Sequence, residues 1–294
     1  MAVAAGSALT GAGQGLAAGP APPPGRQSPS SAKRLMKLGL VTYNLACEWD
    51  LQTIIDRCGE VGLAAVEFRS THKHGVEPTL SKAQRQEVKK RCADGGLVIW
   101  GVGSACEYHS PDPAVVSRNI EETKRFVDLA RDLGARGVKV RPNQLPKGVA
   151  EAKTLEQIGR SLRIVGEAAA PMGVEIWCEM HGRDTAQPSR MRKIMDIADH
   201  PNVGVTWNSN RGIDDQDGSV KDSFELMRSK IYSVHINELV NGYPYRELFT
   251  LLNEAGYDRY TMIEAQALKS GNLADTVRFM KFYKALWEEL SRAG

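Results

Sequence analysis

The stretch EIWCEMHG (175–182) is an apolar run that ends by delivering a carboxylate, Glu179, and an imidazole, His181. At a lone strand end, two polar residues meeting solvent carry no message. Repeated at a fixed interval, the same ending defines a fold and a site together. Seven further runs share the pattern: KLGLVTY (37–43), AAVEFR (64–69), LVIWGVG (97–103), GVKVRP (137–142), NVGVTWN (202–208), IYSVHIN (231–237) and RYTMIEA (259–265). All eight runs are short and β-branched, and Gly, Pro or a polar turn precedes each, which reads as strands.

Helix-length amphipathic segments lie between them. In AVVSRNIEETKRFVDLARDLGA, the residues Val116, Ile120, Phe126, Val127, Ala130 and Leu133 approximate a 3.6-residue stripe, and Gly134 fits the stop. TLEQIGRSLRIVGEAAAPMG opens on Thr154, an N-cap candidate with Gln157 three residues on. LADTVRFMKFYKALWEEL closes the chain with an apolar face of Val277, Met280, Phe282 and Leu286. Eight strand–helix alternations over about 250 residues predict an α/β fold, a (β/α)8 TIM barrel in one domain spanning 36–294. A doubly wound open sheet would carry a Gly-rich phosphate loop after its first strand, and VTYNLACEWD has none.

In such a barrel the C-terminal strand ends converge on one face, where sites are built. The second strand ends in Glu67 and Arg69, with His72 and His74 following. The third runs into Glu107 and His109, and the fourth offers Lys139 and Arg141. The last four deliver Glu179, Asn208, His235 and Glu264, at intervals of 29, 27 and 29 residues, close to the roughly 31 per unit that eight units imply. Two carboxylates, an imidazole and an amide oxygen recurring in phase suit one divalent cation, with Mn²⁺ the first choice and Mg²⁺, Co²⁺ or Zn²⁺ the alternatives. Polar groups gathered on apolar strands are costly to bury without a compensating ion.

CEMHG, VGVTWN, VHINE and MIEAQ together resemble the xylose isomerase-like TIM barrels, over about residues 37–290. That superfamily comprises sugar and sugar-phosphate isomerases and epimerases, and it also contains endonuclease IV. The resemblance implies metal ligands at Glu179, Asn208, His235 and Glu264, with Glu179 and Glu264 also exchanging protons with the substrate. Asn208 departs from the pattern, because the epimerase branch carries Asp there. An amide oxygen brings no charge, so a bound ion is held less tightly and polarises a carbonyl more strongly, or the metal is lost.

The chemistry expected of such a site is proton abstraction next to a carbonyl, through an enediolate. Return of the proton to the opposite face gives epimerisation, and return to the adjacent carbon gives isomerisation. Loss of a β-substituent gives elimination, so a lyase acting on 3-keto-glycosides is the first alternative, and a non-catalytic sugar-binding barrel the second. His181, Lys139 and Arg141 are placed to polarise hydroxyls or supply a second acid. Glu67, Arg69, His109, Lys139, Arg141, Trp207 and Arg211 are the candidate substrate contacts. Trp49, Trp207 and Tyr108 are read either as a wall for a sugar ring or as core. The substrate is expected to be an unphosphorylated sugar or sugar derivative, since no phosphate cradle is visible.

Composition narrows the partners. The chain has 294 residues, 38 Lys and Arg against 35 Asp and Glu, and a net charge of +3, which offers no basic stripe for nucleic acid. Endonuclease IV relatives place a His three residues after the sixth-strand Asp, where this chain has Arg211. No apolar run approaches the roughly 20 residues of a membrane span. Five dispersed cysteines without C-x-x-C read as reduced, packed thiols. Residues 1–35, nearly all Ala, Gly, Pro and Ser, are expected to be a disordered tail or the remnant of an export signal. The compartment is therefore cytoplasm or bacterial periplasm, and a homodimer is consistent with the fold.

Overall fold

A computed structural model describes residues 1–2 and 34–292. The expected tail and export-signal remnant fall almost wholly outside these. Arg34 and Leu35, assigned to that tail by composition, pack on the barrel: the Arg34 guanidinium lies 4.3 Å from the centroid of the Trp287 ring, and the Leu35 amide donates to Asn253 Oδ1.

Among the described residues the chain alternates strictly. The first half runs β1 Lys37–Val41, α1 Leu51–Val61, β2 Ala65–Arg69, α2 Lys82–Asp94, β3 Val98–Glu107, α3 Pro113–Leu133, β4 Gly137–Arg141 and α4 Glu151–Ala169. The second runs β5 Glu175–Glu179, α5 Pro188–Ala198, β6 Val203–Asn208, α6 Lys221–Met227, β7 Ile231–Ile236, α7 Tyr245–Glu254, β8 Tyr260–Ile263 and α8 Leu273–Leu290. The strands close in sequence order into one barrel, parallel throughout, with β1 pairing β8. Among the described residues no helix is long and apolar enough to cross a membrane.

Strand β5 shows how the barrel is layered. Its outward residues Ile176 and Cys178 join the large core between strands and helices, while Glu175, Trp177 and Glu179 point inward at successive levels. At the N-terminal mouth Glu175 pairs with Arg136 and Arg259. Trp177 fills the middle, stacked on Trp100 with ring centroids 5.0 Å apart, and its indole donates to Glu175. Glycines on β3 and β4 make room for it. A Cβ at Gly101 or Gly137 would stand 2.6 or 2.3 Å from the Trp177 ring. Side chains thus plug the lower barrel, and only the C-terminal mouth is open for chemistry.

Two helices differ from expectation. The helix that Thr154 was expected to cap begins a turn earlier, at Glu151. Thr154 is buried inside it, and Gln157 instead donates to the carbonyls of Tyr108 and Ser110, tying α4 to the loop after β3. In α8 the buried face is Thr276, Val277, Met280, Tyr283 and Trp287, and Phe282 is exposed, because Tyr283 and Trp287 fall on the stripe that continues from Met280. The α3 stripe is as expected, ending in a left-handed Gly134 cap.

Candidate active site at the C-terminal mouth

The inward alternation that places Glu175 and Trp177 puts Glu179 at the top of β5. The same alternation puts Asn208 at the top of β6, His235 on β7 and Glu264 just past β8. Glu179, His235 and Glu264 present ligand atoms within 4.8 Å of one another. Their strands are in register: Asn208 stands beside His235, and the Glu264 amide donates to the Ile236 carbonyl. Glu179, Asn208, Glu264, His181, Lys139, Arg141 and Arg69 line one basin of about 130 Å³, together with Tyr43, Asn44, Asn237 and Gln266.

The floor of the basin is a buried charge network. Glu179 Oε2 receives the Lys139 ammonium at 2.7 Å, and Glu179 Oε1 faces the Asn208 amide nitrogen at 3.3 Å. The Asn208 carbonyl accepts in turn from Asn237 at 3.4 Å. Burial works to raise the Glu179 carboxyl, but Lys139 and then His235 hold it well below the usual carboxylate range. His235 is fully buried, which favours the neutral ring, yet the charges of Glu67 and Glu264 push it well above the ordinary imidazole value.

The two nitrogens of His235 have different jobs. Nε2 lies 3.1 Å from Glu67 Oε2. Nδ1 faces Glu264 Oε2 at 3.3 Å and Glu179 Oε1 at 3.7 Å, and it has no aligned hydrogen-bond partner. With Nε2–H given to Glu67, an Nδ1 lone pair aimed at two carboxylates is repulsive unless a cation or proton stands between them. The donor set of one imidazole nitrogen and two carboxylates suits a divalent ion of the Mn²⁺ or Zn²⁺ kind. As oriented here, Asn208 offers its NH₂ to Glu179, and a turn of the amide about its own bond would offer the oxygen instead.

Four of the expected substrate contacts are not in the lining of this basin. Trp207 is fully buried in the core against Phe224, since its neighbour Asn208 faces inward and it must face the helices. Trp49 and Tyr108 are core as well. Glu67 lies beneath the basin, behind His235. His109 stands 3.6 Å from Glu107 and 3.3 Å from Gln144, outside the basin lining. Arg211 lines an adjoining hollow that shares Asn237, Glu264 and Gln266 with the basin. The histidines after β2 are not at the floor either: His74 bonds the Arg69 carbonyl and the Val76 amide, and burial lowers it to about 4. Asn237 and Gln266 were not anticipated, although each sits two residues past a recognised inward residue.

The fold and mouth define an enzyme-type (β/α)8 barrel with a histidine–dicarboxylate cluster. The chain belongs to the xylose isomerase-like TIM barrel family, whose model matches residues 55–283. A ketose 3-epimerase from Arthrobacter globiformis is 26% identical over 228 residues, covering 71% of this chain and 77% of that protein. The structure of D-psicose 3-epimerase with D-tagatose from Clostridium cellulolyticum H10 superposes with a TM-score of 0.75 at 17% identity, over 87% of this chain and 99% of that one. The IOLI protein with a bound zinc atom superposes at 0.71 and 15% identity, over 87% and 98%.

Proposed function

We propose that the chain is a divalent-metal-dependent sugar epimerase acting next to a carbonyl. The observation that carries this reading is the convergence of Glu179, Glu264 and the unpartnered His235 Nδ1 at the barrel mouth. The 3-epimerase relatives support it, and the zinc of one structural neighbour supports the metal. Glu179, His235 and Glu264 would hold the ion, with Asn208 as a fourth, neutral donor. When bound, the ion supplies Lewis acidity to adjacent carbonyl and hydroxyl oxygens of a ketose.

The chain's own residues account for the proton movements. One glutamate removes the proton from the carbon beside the carbonyl, and the electron pair passes to the carbonyl oxygen. The other glutamate returns a proton to the opposite face of the same carbon, giving the epimer. Glu179 and Glu264 come from β5 and β8, with two strands between them, so they reach the basin from different sides. Lys139 pairs with Glu179, whereas Glu264 has no Lys or Arg within 4 Å among the described residues. Because the reaction is reversible, the two roles exchange with its direction.

The test is proton exchange at C3 of D-tagatose or D-psicose in D₂O, followed by NMR. Folded Glu179→Gln and Glu264→Gln variants are expected to lose about 10²–10⁴-fold in exchange and conversion; retention of full rates by both overturns the assignment. A lyase is the second reading. It is favoured by His181, which lines the basin with a buried, unpartnered Nδ1 and could protonate a leaving group. Formation of an unsaturated ketone from a 3-keto-glycoside separates it from epimerisation, which leaves mass unchanged.

A further inference from the structure

The basin has two unlike walls. Strands β5 to β8 supply Glu179, Asn208, His235 and Glu264. Strands β2 to β4 supply Arg69, Lys139 and Arg141, all of which line the same hollow. Register explains how the cations meet: Arg69 pairs with Gly103 and Gly103 with Lys139 across three adjacent strands, and Arg141 points the same way one level higher. Gly103 has no side chain to separate them. A Cβ there would stand 3.3 Å from Arg69 Cδ and 3.0 Å from Glu67 Oε1, so the missing side chain is the space across which Arg69 leans towards β4.

The cations are not equally matched. Lys139 is paired to Glu179 and Arg141 to Glu107. Among the described residues Arg69 has no carboxylate within 4 Å; its guanidinium donates only to the carbonyl and hydroxyl of Ser70. Burial, and after it the Arg141 charge, lower the Arg69 guanidinium from its ordinary value, as expected of two like charges drawn together. The Arg141 Nε is buried with no acceptor. A guanidinium with no carboxylate paired to it directly, only the more distant Glu179 and Glu67 charges, beside a second one with a buried donor to spare, is an incomplete anion site. Asn208, an amide among the carboxylates of the basin lining, adds no negative charge to offset these cations.

We infer that the substrate carries a carboxylate, held by Arg69 and Arg141 while its carbonyl end lies at Glu179, His235 and Glu264. This rests on the sugar-epimerase reading and narrows it to ketose derivatives oxidised to an acid. A carboxylate fits better than a phosphate, because two planar guanidinium donors match its two oxygens.

The experiment is calorimetric titration of the full chain, with Mn²⁺ present, against D-tagatose, D-tagaturonate (the same ketose with a C6 carboxylate) and D-tagatose 6-phosphate. D-tagaturonate is expected to bind about tenfold or more tightly than D-tagatose, the scale of one charge-assisted contact. Arg69→Met is expected to abolish that advantage, with Arg69→Lys restoring part of it. Equal binding of D-tagatose and D-tagaturonate overturns the carboxylate site and leaves the epimerase reading standing. Tighter binding of the phosphate than of the acid overturns the choice of carboxylate. An advantage that survives in Arg69→Met overturns the assignment to Arg69. Failure of all three sugars to bind overturns this inference and the epimerase reading together.

Discussion

Glu67 and His235, 168 residues apart in the chain, meet 3.1 Å apart with neither side chain exposed. Glu67 thereby fixes Nε2 as the ring nitrogen turned towards it, and so leaves Nδ1 facing Glu179 and Glu264. Carboxylates that orient a ligand imidazole in this way tune its basicity as well as its direction. Glu67→Gln keeps an oxygen able to accept Nε2–H, whereas Glu67→Leu does not. Gln is expected to retain Mn²⁺ affinity within about tenfold, and Leu to lose up to about 100-fold, measured by metal titration. Equal affinities in the two variants would mean that Glu67 serves only packing.

The Lys139–Glu179 pair is buried on both sides, with side chains 4% and 3% exposed. Deleting one partner leaves an uncompensated charge, which costs about 3–5 kcal/mol at such sites. Lys139→Met is therefore expected to lower unfolding free energy by that order in metal-free buffer, read by chemical denaturation. Added Mn²⁺ should recover part of the loss, since a cation at the cluster replaces the missing charge beside Glu179. No change in stability would show that the pair is weaker than its burial implies.

Much of this site was legible in the sequence, because a parallel barrel repeats one geometric unit and its strand ends fall in phase. The convergence of Glu179, Asn208, His235 and Glu264 at one mouth was expected from that phase. What was missed came from neglecting the two-residue period of a strand. Applied strictly, it places Trp207 outside because Asn208 is inside, and it adds Asn237 and Gln266 two residues beyond His235 and Glu264. Glu67 also faces inward, but its depth depends on the level of β2 relative to β3, where the register shifts between Val66 and Glu67; no local pattern reports that. Nor does local pattern report the lean of Arg69 across Gly103, which needs three strands side by side.

The loop after β6 carries a pH dependence. Asp214 is fully buried, accepting from the Tyr243 hydroxyl at 2.8 Å, which itself accepts from the Trp207 indole at 3.1 Å. Burial raises Asp214 from 3.8 to about 7, with the Tyr243 contact opposing. An acid whose folded value is raised contributes stability that is fully present below its unfolded value and is lost as pH rises through the folded one. Asp214 should thus destabilise the fold progressively between about pH 4 and pH 7, by about 1.4 kcal/mol for each pH step of one across that window. In Asp214→Asn that component is expected to vanish, so the variant should gain on wild type at pH 8 relative to pH 5 in thermal melts. A constant difference between the two proteins across this range would show that Asp214 is ionised throughout.

Asn208→Asp tests the neutral position in the cluster. The substitution replaces a donor to Glu179 Oε1, 3.3 Å away, by a second carboxylate in a buried space. Without metal, two like charges face each other, and the variant is expected to be less stable than wild type by about 1–3 kcal/mol. With Mn²⁺ the same charge becomes a ligand, so affinity should rise about tenfold or more. Stabilisation by metal grows with the logarithm of that affinity, so the separation between melting temperatures in chelator and in Mn²⁺ is expected to widen. The two effects have opposite signs in the two buffers, which a purely structural role for Asn208 does not produce. A variant destabilised equally in both would leave Asn208 as a hydrogen-bonding spacer between Glu179 and Asn237, with the ion held by Glu179, His235 and Glu264 alone.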